Sequence, residues 1–333
     1  RPSSGLQTTT TPSGRVVSVG AGQLPLTSFH DRRLGIDADW SKPIGALAAT
    51  TTAGHYSNER DYRSVGLSEK LSLDVMHRLA TLTVGAGFNN DQVSPIGGTP
   101  VGLASGGTFT GASVNDKHIV SALAGVSRVL SRRWMMSVNY ARSLESGYLT
   151  EPYKVVSMLD PVTKVTVDHI TEKRPDRRER SSLMASSVYH LANDVLYASY
   201  RYYWDDWQLH SNTLDLKYRS ELGDGKFLQP HLRLYHQKSA SIFTAGLVNG
   251  AGLPAFASSD QRLSSFNSAT LGLTCGFHAG GAPGEFTVRA EYIRQFGQLN
   301  FGQGGEEEGP PATPDLFPPL DIGTLTVGYT VSF

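Results

Sequence analysis

Apolar residues recur at every second position through most of this chain. Stretches rich in Gly, Pro, Ser and Thr break the recurrence. Period-2 alternation puts one set of side chains on each face of an extended strand, whereas a helix needs spacings of three and four. The stretch 320–333 shows it most fully. Leu325, Val327, Tyr329, Val331 and Phe333 share one face, and Thr324, Thr326, Gly328, Thr330 and Ser332 share the other. Soluble sandwiches alternate in the same way, so the pattern predicts the strand and leaves its surroundings open.

The same reading predicts strands at Arg32–Trp40, Ile44–Tyr56, Val65–Val75, Ala80–Phe88, Lys117–Val129, Trp134–Arg142 and Leu183–Leu191. Further strands follow at Val195–Trp204, Trp207–Arg219, Lys226–Gln237, Phe266–His278 and Glu285–Phe296. A weaker one spans Arg15–Gly20. Residues 1–13, rich in Thr, Ser and Pro, read as a flexible tail or plug ahead of a single β-domain over 14–333. Turns are predicted at Ser41-Lys42-Pro43, Met76-His77-Arg78, Asn193-Asp194, Gly223-Asp224-Gly225 and Gly280–Gly284, with a two-residue tip at Asp205-Asp206.

Connections come in two classes. Tight turns alternate with long polar excursions at 89–116, 143–180 and 239–265, and an acidic, Pro-rich one containing Glu306-Glu307-Glu308 precedes the last strand. Transmembrane barrels sort their connections this way, with short periplasmic turns and long extracellular loops. The terminal strand, closing its alternation on Phe333, is similar to the last strand of bacterial outer-membrane barrels. That likeness implies that Tyr329, Val331 and Phe333 form a signal for the barrel-assembly machinery. The expected fold is therefore all-β: a transmembrane antiparallel β-barrel of about 14 strands, with 12 and 16 as alternatives. An even count requires the Arg15 strand.

Composition changes the picture little. The chain of 333 residues carries 30 Lys plus Arg against 30 Asp plus Glu, so no global field favours nucleic acid. No run of about 18 apolar residues is present to make a transmembrane helix, while barrel strands need only about 10 alternating residues. Mean hydropathy is −0.24, as two-faced strands require. The lone Cys275 allows neither an intrachain disulfide nor a multi-thiolate metal site.

If the apolar faces meet lipid, the opposite faces form the lumen wall. Arg201, Asp215, Lys217, Arg219, His231, Arg233, Arg289 and Glu291 then point inward, with Asp37 and Asp39 from the first hairpin. Two readings stand side by side: wall charges paired across strands, such as Asp215 with Arg201 or Arg233, or an aqueous pore whose selectivity they set. Glu69 falls on an apolar face, which calls for an interfacial position or a bulge.

Three motifs occur in order: G-Y-L-T-E-P-Y-K at 147–154, R-P-D-R-R at 174–178 and Y-R-Y-Y-W-D-D-W at 200–207. Together they resemble a family of Gram-negative outer-membrane proteins catalogued as a domain of unknown function. The motif residues that carry the likeness include Pro152, Tyr153, Lys154, Arg174, Pro175, Asp176, Asp205, Asp206 and Trp207. The resemblance implies a barrel in the outer membrane and brings no assigned activity. Physically, Pro152 and Pro175 make rigid corners, and Lys154, Arg174, Arg177 and Arg178 set cations beside Glu151 and Asp176. These make either a loop pinned by ion pairs or a solvated charge cluster.

Catalytic readings find little support. His210 and Ser211 are adjacent on a strand and point to opposite faces, so they cannot act as base and nucleophile. Asp205 and Asp206 beside His210 suggest an acid pair at a barrel rim, yet a hairpin tip accounts for them. No haem-attachment or phosphate-loop motif occurs. The expected protein has no cofactor, no metal and no catalytic residues, and serves as a channel or a scaffold. Alternatives are a sleeve for a periplasmic or surface partner protein, including a redox protein, and an enzyme with its site at the rim. The bilayer is the expected partner, and nucleic acid is not.

Overall fold

The computed structural model describes residues 6–10, 16–20, 31–105, 108–278, 284–297 and 319–331. Its first strands are β1 (Leu6–Thr10), β2 (Val16–Gly20), β3 (Leu34–Ile44), β4 (Ala48–Asn58), β5 (Tyr62–Val75), β6 (Ala80–Val93), β7 (Asn115–Ser131) and β8 (Trp134–Gly147). After them come β9 (Val155–Leu159), β10 (Thr166–Thr171), β11 (Arg177–His190), β12 (Val195–Asp205), β13 (His210–Gly223) and β14 (Lys226–Lys238). The last are β15 (Leu247–Val248), β16 (Phe266–His278), β17 (Gly284–Phe296) and β18 (Leu320–Val331).

Thirteen of these form one antiparallel sheet that runs in chain order from β3 to β18 and omits only β9, β10 and β15. Sequential neighbours pair because tight turns join them on one side and long loops on the other. The sheet is rolled. A single cavity of about 460 Å³ is lined at once by β5, β6, β7, β8, β11 and β12. Among the described residues no hydrogen bond joins the two edge strands, β3 and β18. Twelve antiparallel steps separate these edges, so they run in the same direction.

The outer face is apolar and open: Leu325 is 73%, Val327 68%, Leu67 62% and Leu271 62% exposed. Water would penalise such a continuous band, and lipid accepts it. Aromatic clusters bound the band. On the turn side Trp134 meets Tyr189 edge-on at 6.4 Å, and Phe277, Phe286 and Tyr329 stack in series. On the loop side Tyr140, Tyr202 and Trp204 cluster at 5.4–6.2 Å. From Tyr189 to Leu183, the residue opposite Tyr202, is roughly 20 Å along the strand at about 3.3 Å per residue. That spacing suits girdles at two membrane interfaces.

The buried apolar residues lie mostly in the long loops. Val156, Met158, Ile170 and Ala257 form one cluster, and Trp207, Leu209, Ala240, Phe243 and Leu263 form another. Strands β10, β9 and β15 make a separate three-stranded sheet that supplies Val156, Met158 and Ile170 to the first cluster, with β15 parallel to β9. Backbone bonds tie Leu103 to Thr171 and Lys173 to Ala257, so three long loops are knitted into one cap.

Several sequence expectations are corrected. The strand predicted at Arg15–Gly20 forms as β2, but it pairs with β1 in a separate two-stranded sheet and adds nothing to the large one. Its partner, Leu6–Thr10, lies in the segment read as a tail. Ser41-Lys42-Pro43 is not a turn: β3 continues through Pro43 to Ile44, and Gly45, with φ +68°, begins the turn. Proline is tolerated there because β3 is an edge strand. Trp207 does not start a strand, and Asp205-Asp206 is not a two-residue tip. Residues 206–209 make the connection, and Asp205 closes β12. The loop-side ends of β6, β8 and β11 run past the alternation by several residues, because backbone pairing continues beyond the apolar band.

Candidate functional site: lumen wall and loop cap

On the inner face the predicted wall residues take up the register the alternation requires. Asp215 is opposite Arg233, Lys217 opposite His231, and Thr274 opposite Arg289. The expected pairing of Asp215 with Arg201 or Arg233 is not made. Asp215 instead meets His231 Nε2 at 2.9 Å and lies 4.0 Å from Lys217. The other ring nitrogen of His231 meets Glu291 at 2.8 Å, so one imidazole spans two carboxylates. Gly272 sits between His231 and Glu291 in the sheet, and a Cβ on it would lie 2.9 Å from Glu291 Cγ. The missing side chain is what lets the bridge form. Arg219 donates to Glu221 at 2.5 Å and covers the Phe227 ring at 3.5 Å.

Further inward pairs come from residues that, apart from Asp37, the sequence reading did not single out. Arg180 holds Glu145, Lys117 lies 3.8 Å from a buried Asp91, and Asp37 meets His55 at 2.5 Å. Tyr62 and Ser64 donate to the same Asp91. The register could have revealed these partners once the strands were aligned. Lys70, Arg201, Arg233 and Arg289 are inward and exposed, and among the described residues they form no ion pair. Asp39 is the exposed inward carboxylate in the same condition. Glu285 and Asp74 are half-buried, and among the described residues they form no ion pair either, Asp74 accepting only from the Thr81 hydroxyl. Unpaired cations therefore outnumber unpaired anions along the wall.

Glu69 stays on the outer face in regular register, with no bulge. Thr50 and Thr52 on β4 donate to its two carboxylate oxygens. The expected bulge is not used; neighbouring hydroxyls satisfy the charge.

The motif residues build the cap. Arg174 Nε is 2.6 Å from Glu172 and its Nη2 is 2.9 Å from Asp260. Both acids are buried, Glu172 fully, and Ser258 donates to Glu172. The loop is thus pinned by ion pairs and is not a solvated cluster. Burial works to raise the Asp260 carboxyl, but hydrogen bonds from Arg262 and the charges of Arg262 and Arg174 hold it well below the usual range. Glu151 moves the other way, because burial outweighs nearby cations. Burial likewise raises the Tyr148 and Tyr153 hydroxyls.

Tyr153 donates to Asp61 at 2.5 Å and accepts from the Ile96 backbone, which ties the 143–180 loop to the connection at Asp61 and again to the 89–116 loop. Pro152 and Pro175 are half-buried corners, Lys154 is exposed, and the Asp176 carbonyl accepts from Gly147 N. Trp207 is buried, donates to the Arg177 carbonyl and lies 4.3 Å beneath Arg178. Asp206 accepts from Glu179 N. Beside the cap Asp31, Glu59 and Asp61 bring carboxylates within 4.8 Å of one another, though Arg33 already faces Glu59 at 3.6 Å. His210 and Ser211 do point apart: Ser211 is buried inward and His210 stacks on Tyr202.

Phe333 and the Glu306–Glu308 run lie outside the described residues. Val331 ends β18, and Tyr329 stands 4.4 Å from Phe286 in the turn-side girdle.

Solved structures share this architecture. The chain is similar to the siderophore receptor PirA from Acinetobacter baumannii, with a TM-score of 0.53 and 9% identity over 89% of this chain and 47% of that one. It is also similar to a mutant of the ferric enterobactin receptor PfeA from Pseudomonas aeruginosa. There the TM-score is 0.51 and the identity 11%, over 80% of this chain and 42% of that one. The chain therefore spans about half the length of these receptors, and the likeness is one of fold, that of a transmembrane antiparallel β-barrel. No curated protein matches it. A family model described as "Protein of unknown function (DUF3570)" matches residues 1–331, far beyond the 147–219 stretch whose motifs first suggested a family. By that match the chain belongs to the DUF3570 family.

Proposed function

We propose that the protein is a channel of the outer membrane that favours anions. The observation that carries this reading is the imbalance in pairing on the inner wall. Asp215, Glu291, Glu145 and Asp91 are each engaged by a cation or an imidazole, whereas Lys70, Arg201, Arg233 and Arg289 remain exposed without one. Fixed charges lining a narrow aqueous path set which ions pass. Turns then face the periplasm and the cap faces outside, as in barrels generally.

A second reading, a scaffold for a partner protein, draws support from the cap. Its buried ion pairs and apolar clusters build a folded surface over the loop-side mouth. Purified protein in planar bilayers under a salt gradient separates the two. The channel predicts conductance with a reversal potential on the anion side. The triple replacement Arg201→Gln, Arg233→Gln and Arg289→Gln moves that potential toward cations, most clearly at low salt. Absence of conductance would overturn the channel in favour of the scaffold.

A further inference from the structure

The 460 Å³ recess in the wall between β5 and β12 has a composition that points to a particular ligand. Lys70 and Arg201 line it, and neither has an ion pair among the described residues. Arg180 lines it too, already holding Glu145 and donating to Ser143. One carboxylate belongs to a lining residue, Glu69, and its side chain is turned to the outer face, where Thr50 and Thr52 occupy it. The recess is therefore positively charged with no acid facing it.

Its remaining surface is apolar in part. Leu123 and Ala141 point inward from β7 and β8. The Tyr203 hydroxyl is spent on Asp205, which leaves the ring as wall. Small residues make the room: a Cβ on Gly85 would press to 3.2 Å from the Glu69 carbonyl. The volume falls within the range of about 300–1,000 Å³ that holds organic ligands. It greatly exceeds the roughly 30 Å³ that one water takes up, so a small inorganic ion leaves most of it unfilled.

We propose that this recess binds an organic anion, a carboxylate on an aromatic or short aliphatic body, with the acid group between Lys70 and Arg201 and the body against Leu123, Ala141 and the Tyr203 ring. Charge-assisted hydrogen bonds fix the head, and removal of apolar surface from water holds the body. The assignment deepens the channel reading, on which it rests for access of solute to the wall.

Ligand-observed NMR titration of the full chain in micelles tests it, with benzoate, neutral benzamide and inorganic phosphate as probes. Benzoate is expected to bind saturably, and benzamide and phosphate each at least about tenfold more weakly. Lys70→Met and Arg201→Met should each weaken benzoate by about tenfold or more, as expected for loss of one charged hydrogen-bond partner. Ala141→Leu, which fills the body site, should weaken it as well. Arg294→Gln, on the outer face, serves as control, and heat-modifiable migration on gels verifies folding of every variant. Equal binding of benzamide, equal binding of phosphate, or native affinity in the Lys70 and Arg201 variants overturns the assignment. The titration needs no ion flow. A non-conducting protein that binds benzoate overturns the channel alone, and a conducting one that does not bind it overturns this inference alone.

Discussion

Arg178 and Asp205 close the loop-side end of β11 on β12 through two bonds to one oxygen, from Nε at 3.0 Å and from Nη2 at 2.5 Å. The second Asp205 oxygen accepts from Leu209 N, and the guanidinium rests on Trp207. The Asp205 side chain is fully buried. Asp205→Ala leaves a buried cation unpaired and frees the 206–209 connection. A loss of about 3–5 kcal/mol is expected in denaturant unfolding from micelles. Unchanged stability would show that the pair is only incidental.

The lipid face is tested by charge. Leu271 lies mid-strand on the outer face of β16, and Leu271→Arg is expected to cost about 2–4 kcal/mol, as for cations near a bilayer midplane. Ser199→Arg, inward and opposite Asp215, should cost far less. Equal losses would mean that the two faces see the same medium.

Glu69 gives a sharper test, because its cost depends on its neighbours. Thr50→Val with Thr52→Val strips both donors from a carboxylate on the lipid face, and about 1–3 kcal/mol should be lost. In a Glu69→Leu background the same pair of changes should be close to neutral. Additive effects in this cycle would refute the coupling.

The cap should respond to acid through Asp260. Its folded-state pKa lies below the unfolded value, so it contributes stability above about pH 4, the unfolded carboxylate range. That contribution is lost as pH falls through the folded value. Protection against hydrogen exchange in 155–171 and 257–264, taken relative to the intrinsic exchange rate at each pH, should therefore fall from pH 4 downward. Asp260→Asn should be poorly protected at pH 6 already and flatter with pH. A native-like profile in this variant would place the acid sensitivity elsewhere.

Thirteen barrel strands and the faces of their side chains were legible because a wall between lipid and water writes its two media into alternate residues. Leu214, Leu216 and Tyr218 against Asp215, Lys217 and Arg219 is the clearest case. The cap was not legible. Val155–Leu159 is short, and Val156, Met158 and Leu159 are all buried, so no period appears. Its ion pairs join residues such as Arg174 and Asp260, 86 positions apart, which no local pattern relates. The free cations of the wall were visible as residues. The lack of partners at Arg233, opposite Asp215, and at Arg289, beside Glu291, depended on His231 taking both carboxylates.

The shared direction of β3 and β18 limits what can meet the open edges. Their pairing to one another would be parallel. A second copy inserted with the same sidedness presents edges of that same direction, so contact between copies along these edges would be parallel as well. Antiparallel completion requires a segment running the opposite way, and an odd number of such strands must fill the gap. Unpaired backbone in lipid costs several kcal/mol per group, so the edges left unpaired among the described residues call for a complement, and chain direction decides whether its ladder is parallel or antiparallel.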